Sequence, residues 1–350
     1  MQVFSKKIIE WYNNNKRNLP WRITQDPYKI WLSEIILQQT RVAQGLPYYN
    51  RFVENYPTIK DFASADLSSI LRLWQGLGYY SRARNMYATA QIIMNEYGGE
   101  FPKTYNELLK LKGIGSYTAA AIASFAYQEP VAAIDGNVYR VLARLFGIET
   151  DIGSSQAKKV FGGFADAIID KNQPDVFNQA MMEFGAMQCT PSNPNCMFCP
   201  LSLECHANST KTQHLLPVKL KKVKVKNRYF NYFIIESDNH FLLKERDSSD
   251  IWAGLYDYYL VESAEPVNDI EAISDAFLEQ ILAQNPHIDF SNEITHQLTH
   301  QKLHVKFWHL RLKSTLEALP LGYAFYSSTQ IEELPKPILI ENFIKKMVLH

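Results

Sequence analysis

Hydrophobic residues follow two different patterns along the chain, and the change between them falls near residue 229. Up to about residue 205 they recur at three-to-four spacing, which is the period of an amphipathic helix. Short segments with Gly or Pro interrupt this pattern and predict loops. The spacing predicts helices over residues 30–39, 67–74, 83–95 and 138–146.

After residue 229 the pattern changes to short runs rich in aromatic and β-branched residues. Such runs are typical of strands, and several of them alternate between apolar and polar positions. The runs are YFNYFIIE, HFLLKE, LYDYYLV and LHVKFWHLRL. Two helical stretches, over residues 270–282 and 338–347, accompany them. We therefore expect a multi-domain chain, with an all-α domain followed by an α+β domain.

The domain boundaries follow from this change of pattern and from the length of the chain. A chain of 350 residues is long for one hydrophobic core. We predict a helical domain over residues 1–206, a basic linker over residues 207–228 and a second domain over residues 229–350. The run KLKKVKVKNR, residues 219–228, is interpreted as a solvated linker or strand edge, with a phosphate contact as the alternative.

Composition excludes few classes of protein. Hydrophobic residues make up 46% and charged residues 21%, as in ordinary globular proteins. The sequence contains no run of about 18 apolar residues and so predicts no membrane span. The first residues lack the apolar core of a signal peptide. We therefore expect a cytoplasmic protein with no membrane partner. The net charge of zero gives no indication of nucleic acid, although residues 251–300, which contain no Lys or Arg, are expected to face away from phosphates.

All four cysteines lie in one segment with the spacing C-x6-C-x2-C-x5-C, at Cys189, Cys196, Cys199 and Cys205. Four thiols in one loop of a protein expected in the cytosol predict a metal site rather than disulfides. Zinc is the commoner occupant of a four-thiolate site, and an iron–sulfur cluster takes the same ligands. The spacing alone leaves both metals open.

Residues 104–128, TYNELLKLKGIGSYTAAAIASFAYQ, predict two helices joined by a glycine hairpin. A Thr-x-x-Glu capping box begins the first helix. Gly113 and Gly115 end it, and Ser116 is predicted to cap the second. A glycine hairpin ahead of a helix presents free backbone N–H groups that suit a phosphate oxygen, although other helix–turn–helix joints share this pattern.

Glu34 is a candidate for acid chemistry because its helical neighbours Ile30, Trp31 and Leu37 are apolar. Desolvation at such a position raises the pKa of a carboxyl and keeps it protonated near neutral pH, as a general acid requires. The alternative is a glutamate at the rim of the helix that reaches water or pairs with Arg41.

Asp135 follows the apolar run VAAI and precedes Gly136, Asn137 and the predicted helix VYRVLARLF. One interpretation is a helix cap, a role that Asp commonly performs. The other is an ionised carboxylate, held at the start of the helix and directed at a developing cation. Position alone does not decide between them.

Taken together and in this order, these features resemble the endonuclease III and MutY superfamily of helix-hairpin-helix DNA glycosylases. The resemblance covers nearly all of residues 19–205 and implies an all-α glycosylase fold in which the four cysteines hold one 4Fe–4S cluster. Lys112 departs from the proline that is usual in the family's hairpin. The matching stretches are LPWR, DPYKIWLSEIILQQT, GLGYYSRARN, LKGIGSYTAAAIASFAY, IDGNVYRVLAR, MMEFGAMQCT and the four-cysteine loop.

Position 117 separates two branches of this superfamily. Bifunctional relatives have a lysine there, whose amine forms a Schiff base with the sugar. Tyr117 cannot do so, and LSEIILQQT resembles the adenine-specific MutY branch. The resemblance implies base excision repair, with hydrolysis of the N-glycosidic bond of adenine mispaired with 8-oxoguanine or guanine. The expected partner is double-stranded DNA, bound by a monomer in the cytoplasm or nucleoid.

Two rival hypotheses remain, a bifunctional glycosylase/lyase and a non-catalytic DNA-binding protein. Tyr117 opposes the first, while the presence of both Glu34 and Asp135 opposes the second.

The resemblance also implies roles for individual residues. Glu34 is expected to protonate the adenine at N7, and Asp135 to stabilise or briefly trap the oxocarbenium ion. Tyr117 and Asn137 are expected to position these groups and the water. The expected DNA contacts are the adenine-pocket residues Trp21, Arg22 and Glu183, the wedge residues Gln39 and Tyr79, and the hairpin residues Gly113 and Gly115.

Residues 229–350 resemble the Nudix-related domain with which MutY proteins recognise 8-oxoguanine. Many relatives have Phe-Ser-His in the recognition loop, where this chain has Leu298-Thr299-His300 and so lacks the aromatic residue. We expect Thr299 and His300 to contact the lesion, while His296 and His304 are as readily explained as solvent-facing residues of a β-hairpin. The acids of VESAEPVNDIEAISDAFLEQ lack the R-E-x-x-E-E pattern, so no pyrophosphatase activity is expected.

Overall fold

The computed structural model describes residues 2–220, 224–290, 293–313, 316 and 318–348. Its contacts divide the chain into two compact units. The first comprises Met1–Ser64 and Asn85–Lys221, and the second comprises Ala65–Arg84 and Lys222–His350. The second unit therefore includes a segment from the helical part of the sequence. The domain boundaries stated from the sequence pattern stay a prediction.

Residues 2–210 form helices joined by short loops. Ala119, Ala120, Ala121 and Ala123 are buried in α8, which packs against α2 and α11, because alanine side chains allow a close approach of helices. The helices are α1 (Gln2–Asn15), α2 (Pro27–Ile36), α3 (Val42–Asn55), α4 (Ile59–Ser64), α5 (Leu67–Trp74), α6 (Ser81–Glu96), α7 (Tyr105–Leu108), α8 (Ser116–Tyr127), α9 (Gly136–Phe146), α10 (Ala157–Ile168), α11 (Pro174–Met187) and α12 (His206–Thr210).

The predicted helices are confirmed, with differences at their ends. The helix predicted over residues 67–74 has those bounds, whereas the one predicted over residues 30–39 ends at Ile36. The prediction for Ser116 was wrong, because Ser116 is the first residue of α8 and Gly115 is the cap, with no side-chain hydrogen bond. The first helix of the hairpin is a single turn, in which Thr104 accepts a hydrogen bond from the N–H of Glu107.

The described part of the second unit contains a seven-stranded mixed sheet in the order β4-β6-β1-β3-β2-β7, with β5 paired to β6. Strands β1 and β6 are parallel, and the other pairs are antiparallel. The elements are β1 (Lys226–Ser237), β2 (His240–Glu245), β3 (Tyr256–Ser263), α13 (Ala276–Leu282), β4 (His287–Phe290), β5 (Ile294–Gln297), β6 (Gln301–Arg311), β7 (Tyr323–Ser327), α14 (Ser328–Glu333) and α15 (Ile338–Val348).

Apolar residues cover both faces of this sheet. Phe230, Tyr232 and Ile234 of β1 pack in one core with residues of α14 and α15, while Phe233 and Ile235 pack in a second core with α13. Successive residues of a strand point to opposite faces, so a strand with cores on both sides is buried almost continuously. Helix α14 was not foreseen, and the helical stretch expected over residues 270–282 is a short 3₁₀ turn followed by α13.

The basic run, interpreted as a solvated linker or strand edge, ends in the first residues of strand β1, and the burial of Arg228 departs from that interpretation. Its residues 221–223 lie outside the described part of the chain. Lys226 begins β1, and the buried guanidinium of Arg228 forms ion pairs with Asp250 at 2.7 Å and Glu262 at 2.6 Å. Burial of a cation requires such partners, which the spacing of the lysines did not reveal. Among the described helices, none is long and apolar enough to cross a membrane.

The core of the first unit provides a test of packing within one helix. On α10, Phe161 is fully buried, whereas Phe164 is 39% exposed. We predict that Phe161→Ala lowers the free energy of unfolding by about 3–5 kcal/mol, because it removes a buried ring and leaves a cavity. Phe164→Ala is the matched control and should cost less than about half as much. Urea denaturation of both variants measures the difference, and equal losses would contradict the assignment of this core.

Candidate active site

An open cleft of about 1220 Å³ lies within the first unit. Residues of α2, α8, α9 and α11 and of loops next to these helices line it, so residues far apart in sequence face one space. Glu34 and Asp135 both belong to this lining. The predicted site residues found there are Trp21, Arg22, Glu34, Gln39, Gly113, Gly115, Tyr117, Asp135, Asn137 and Glu183.

Glu34 is buried on α2 and has a phenol as its partner. The hydroxyl of Tyr117, at the start of α8, donates a hydrogen bond of 2.5 Å to Glu34 Oε2. Burial raises the pKa of Glu34 to about 7; the hydrogen bond from Tyr117 and the charge of Arg22 oppose this rise, and the Asp135 carboxylate adds to it. The carboxyl therefore exchanges its proton near neutral pH. The alternative of a solvated glutamate at the helix rim was wrong.

Asp135 is both a helix cap and a residue of the cleft. Its Oδ1 accepts the N–H of Val138 at 2.8 Å, and its Oδ2 accepts the side-chain amide of Asn137 at 2.7 Å. Burial raises the pKa of Asp135, while these hydrogen bonds favour the ionised form and oppose that rise. The two interpretations of Asp135 are thus compatible, since capping holds the carboxylate where it faces the cleft.

Asn137 is held in turn by Arg140. The guanidinium donates to Asn137 Oδ1 at 2.8 Å and also to the carbonyls of Gly185 and Cys189, at 2.6 and 2.7 Å. Helices α9 and α11 come so close here that a Cβ on Gly185 would lie 2.6 Å from the Cβ of Asn137. The amide that contacts Asp135 is therefore confined on two sides.

Glu183 is the second buried glutamate of the cleft, and its surroundings are cationic. Arg17 donates two side-chain hydrogen bonds to it, at 2.8 and 2.6 Å, and Arg22 donates one at 2.5 Å. Burial alone would raise the pKa of Glu183, but these donors outweigh it and lower the pKa to about 2. Trp21 packs edge-on against Tyr49 beside this group, with 5.1 Å between ring centroids.

The hairpin loop borders the same cleft. Gly113 has a φ of 75°, in the left-handed region that favours glycine, and a Cβ there would lie 2.8 Å from Asn85. Gly115 has an ordinary φ of −85° and nothing within 4 Å of a Cβ, so its backbone conformation does not require glycine. The side chain of Lys112 is exposed, and its carbonyl accepts a hydrogen bond from Thr89.

The four cysteines all border one cavity, which lies next to α9 and the end of α11. None forms a disulfide. Arg144 donates to the sulfur of Cys189 at 3.4 Å and to the carbonyl of Thr190 at 2.7 Å. Burial, with the neighbouring thiols, raises the pKa of Cys199 to about 11.

Thiols that face one another cannot all ionise without a compensating cation, so this donor set suits a metal centre. Within the described residues, no group of three or more His, Cys, Asp or Glu side chains is closely enough arranged to hold a metal ion by itself.

Tyr79, Thr299 and His300 belong to the second unit. The hydroxyls of Tyr79 and Thr299 form a hydrogen bond, and Thr299 and His300 are exposed at the tip of the β5–β6 hairpin. Leu298, which replaces the family's aromatic residue, packs against the core of this unit instead of pointing to solvent.

The reading of His296 and His304 as simply solvent-facing was wrong. His304 Nδ1 lies 2.7 Å from a carboxylate oxygen of Glu293, and its ring stacks on that of Tyr229. His296 is half-buried beside Trp252, and burial lowers its pKa. Within the described part of the chain, neither histidine forms a hydrogen bond or ring contact with Thr299 or His300. The predicted contact with the lesion therefore involves only Thr299 and His300.

Two residues that shape the site were missed from the sequence. Arg17 pairs with Glu183 across 166 residues, and no local pattern announces such a pair. Arg140 had a signal, because it lies one helical turn after Asn137 on a helix whose other buried positions are mostly apolar. A buried arginine at that spacing indicates a polar partner nearby.

Comparison with known proteins identifies the class of protein to which this fold belongs. The model of the HhH-GPD superfamily of base excision DNA repair proteins matches residues 32–164, and that of the NUDIX domain matches residues 231–346. A solved thermostable thymine-DNA glycosylase superposes with a TM-score of 0.56 at 30% identity, covering 59% of this chain and 96% of that protein. The fold is therefore that of a helix-hairpin-helix DNA glycosylase with a Nudix-like domain.

Relatives of known activity show to which family within this class the chain belongs. An adenine DNA glycosylase of Buchnera aphidicola subsp. Acyrthosiphon pisum is 38% identical over 255 residues, covering 73% of each chain. That of Buchnera aphidicola subsp. Baizongia pistaciae is 34% identical and covers 99% of this chain and 98% of its own. The human adenine DNA glycosylase is 40% identical over 61% of this chain and 41% of its own length. This chain belongs to the adenine DNA glycosylase family of base excision repair enzymes.

The raised pKa of Glu34 makes a prediction about stability. The folded protein holds this proton more tightly than the unfolded chain, so the contribution is fully present below pH about 4.5 and is lost as pH rises through about 7. Glu34→Gln keeps an acceptor for Tyr117 but cannot ionise. Between pH 4.5 and 8 we therefore expect the wild type to lose about 3 kcal/mol relative to this variant.

Urea unfolding of both proteins across this pH range measures the difference. The control is Glu54→Gln, at an exposed position on α3, which should follow the wild type at every pH. Parallel curves for the wild type and Glu34→Gln would show that Glu34 ionises like an exposed glutamate.

Proposed function

We propose that this enzyme removes adenine mispaired with 8-oxoguanine or guanine by hydrolysis of the N-glycosidic bond, with Glu34 as the general acid and Asp135 as the stabilising anion. The observation that carries the proposal is that both carboxyls line one cleft in contrasting surroundings. Glu34 has a pKa of about 7 and can hold a proton. Burial raises the pKa of Asp135 as well, but two N–H donors oppose this rise and favour its ionised form.

The proposed reaction requires a protonated Glu34 and an ionised Asp135. Glu34 donates its proton to N7 of the flipped adenine, and the bond from the sugar carbon to N9 then breaks with its electron pair leaving on the base. The sugar becomes an oxocarbenium ion, which the Asp135 carboxylate stabilises or traps. Water adds to this carbon, and loss of one of its protons gives the abasic sugar and free adenine.

Tyr117 and Asn137 act as positioning residues in this scheme. Each makes one direct hydrogen bond to a carboxyl of the pair. Tyr117 also occupies the position where bifunctional relatives have lysine, and a phenol forms no Schiff base with the sugar. The enzyme is therefore proposed to be monofunctional and to leave the DNA strand intact.

The remaining cleft residues suit recognition of the base and the DNA backbone. Glu183, which pairs with Arg22 and lines the same cleft as Trp21, is a permanent anion that can accept a hydrogen bond from the exocyclic amino group of adenine. The N–H groups of the Gly113–Gly115 hairpin suit a phosphate oxygen. Gln39 has a positive φ of 56° and an exposed side chain, as expected of a residue that wedges into the duplex.

The second unit carries the residues proposed to read 8-oxoguanine. Thr299 offers a hydroxyl and His300 an imidazole, both exposed at the tip of the hairpin. Tyr79 is hydrogen-bonded to Thr299 and is 43% exposed. We propose that its ring stacks against the bases beside the lesion. We further propose that the enzyme acts as a monomer on double-stranded DNA in the cytoplasm or nucleoid.

One 4Fe–4S cluster is proposed as the ligand of Cys189, Cys196, Cys199 and Cys205. All four sulfurs border one cavity, and a cluster is large enough to bridge donors that are not drawn together around a single ion. The positive iron centres would take the place of the thiol protons and remove the mutual repulsion of the thiolates. When bound, the cluster contributes structure to the loop and takes no part in hydrolysis.

The catalytic assignment predicts the outcome of a glycosylase assay. With a duplex holding adenine opposite 8-oxoguanine, we expect release of adenine and strand cleavage only after alkali. Because Glu34 must be protonated, the single-turnover rate should fall as pH rises through about 7. Glu34→Gln should bind the duplex but release adenine at least about 100-fold more slowly, since it has no proton to donate.

Glu54→Gln is the control and should retain the wild-type rate and pH profile. Duplexes with adenine opposite guanine and opposite thymine report the choice of mispair. Undiminished base release by Glu34→Gln would remove the acid assignment. Strand scission without alkali, together with a product trapped by borohydride, would replace the monofunctional proposal with a lyase.

The metal proposal has a separate test. Protein purified without oxygen should be brown, with broad visible absorption and about four iron atoms per chain, because one 4Fe–4S cluster contains four iron atoms. Cys199→Ser should lose most of this colour, whereas Ser202→Ala, in the same loop, should keep it. Colourless wild-type protein that contains one zinc would show that the site is tetrahedral zinc instead.

A further inference from the structure

The loop from Gln75 to Tyr80 has an unusual backbone conformation. Gly76, Gly78 and Tyr79 all have positive φ, at 96°, 70° and 48°. Glycine adopts this region readily, but a bulky aromatic residue does so only where its surroundings hold it there. Tyr79 is also 43% exposed, so burial of its own ring does not account for the conformation. Other contacts must fix the loop.

One set of contacts comes from the helices on either side. The indole of Trp74 donates to the carbonyl of Gly78 at 3.0 Å. Arg82 donates to the carbonyls of Leu77 and Gly78, at 3.3 and 3.2 Å, and its guanidinium lies 5.7 Å from the ring centroid of Tyr79. These contacts hold the end of the loop that follows Leu77.

The beginning of the loop is held by a distant residue of the same unit, Lys336. The backbone N–H of Lys336 donates to Gln75 Oε1 at 3.0 Å, and its carbonyl accepts the hydroxyl of Tyr80 at 3.4 Å. Gln75 also donates to the carboxylate of Glu341. Lys336 lies between Pro335 and Pro337. It therefore contacts both ends of the loop, across 261 residues to Gln75 and 256 residues to Tyr80.

Lys336 is itself firmly fixed, although it is a lysine. It is 1% exposed, and its ammonium donates to the carbonyls of Ile331, Glu332 and Leu334 at the end of α14. Glu341 lies 3.6 Å away and supplies a counter-charge. A buried ammonium is costly unless it is paired in this way. The arrangement makes the Pro335–Pro337 segment a rigid support.

We propose that Gln75 and Lys336 are positioning residues that hold Tyr79 in the conformation in which it enters DNA. The proposal rests on the proposed role of Tyr79 as a wedge. A loop ordered before binding loses less conformational entropy when it binds than one that must be ordered by the DNA. The residues that order the loop thereby strengthen capture of the mispair without touching it.

Gln75→Leu tests the proposal, because it removes the amide and keeps the approximate volume. The half-saturating enzyme concentration in single-turnover release of adenine opposite 8-oxoguanine should rise about three- to fivefold, while the limiting rate stays unchanged. Tyr79→Ala should raise the same concentration about tenfold, through loss of base stacking. The matched control is Arg72→Ala, which removes an exposed contact between α5 and Glu333 and should change neither quantity.

The double variant Gln75→Leu/Tyr79→Ala separates positioning from general stability. If Gln75 acts through Tyr79, the double variant should bind no more weakly than Tyr79→Ala alone. If the two effects multiply, or if Gln75→Leu binds like the wild type, the proposal is overturned. Lys336→Met should behave like Gln75→Leu provided that it folds, and Gln75→Leu decides the question if it does not.

Failure of the wedge assignment has a different signature. In that case Tyr79→Ala would itself bind like the wild type. Failure of the glycosylase proposal would appear earlier still, as absence of adenine release from the wild-type enzyme.

Discussion

A glutamate withdrawn from water must find a cation or keep its proton, and the two buried glutamates in the cleft of the first unit differ in this respect. Glu183 has two arginines and a pKa of about 2, whereas Glu34 has a phenol and a pKa of about 7. The same residue type thus supplies a permanent anion and a reserve of protons within one space. The proposed division of labour between base recognition and acid catalysis depends on this contrast, which the surrounding donors create.

The helices serve this contrast by joining distant parts of the chain. Tyr117 donates a hydrogen bond to Glu34, 83 residues away in the sequence. The two residues meet because the small alanine side chains of α8 allow it to pack close to α2. Asp135 is the N-terminal cap of α9, and the first two turns of the same helix supply Asn137 and Arg140. Each of these side chains is therefore fixed by a hydrogen bond, either within the first turns of α9 or from a neighbouring helix. Such anchoring limits the rotamers available and keeps the carboxyls in their separate environments.

Local pattern was enough to predict much of this. The helical period, the strand runs, the capping of α9 by Asp135 and the burial of Glu34 all follow from residues a few positions apart. Local sequence pattern could not predict contacts between distant segments, such as the pairing of Arg17 with Glu183 and the ion pairs of the buried Arg228. Ser116 was misassigned because serine and glycine both favour the cap position, and only the backbone path selects between them. The attachment of the Tyr79 loop to Lys336 has no sequence signal at all.

The crossing of α9 and α11 at Gly185 sets a limit on how this protein can vary. A methyl group there would meet both the side chain and the backbone of Asn137, at 2.6 and 2.9 Å. Neither contact involves the flexible end of a side chain, so the helices would have to move apart. That movement would shift the amide away from Asp135 while leaving every chemical group of the cleft in place. Position 185 is therefore a site where an inherited change as small as one methyl group would disturb the cleft without altering any residue that lines it.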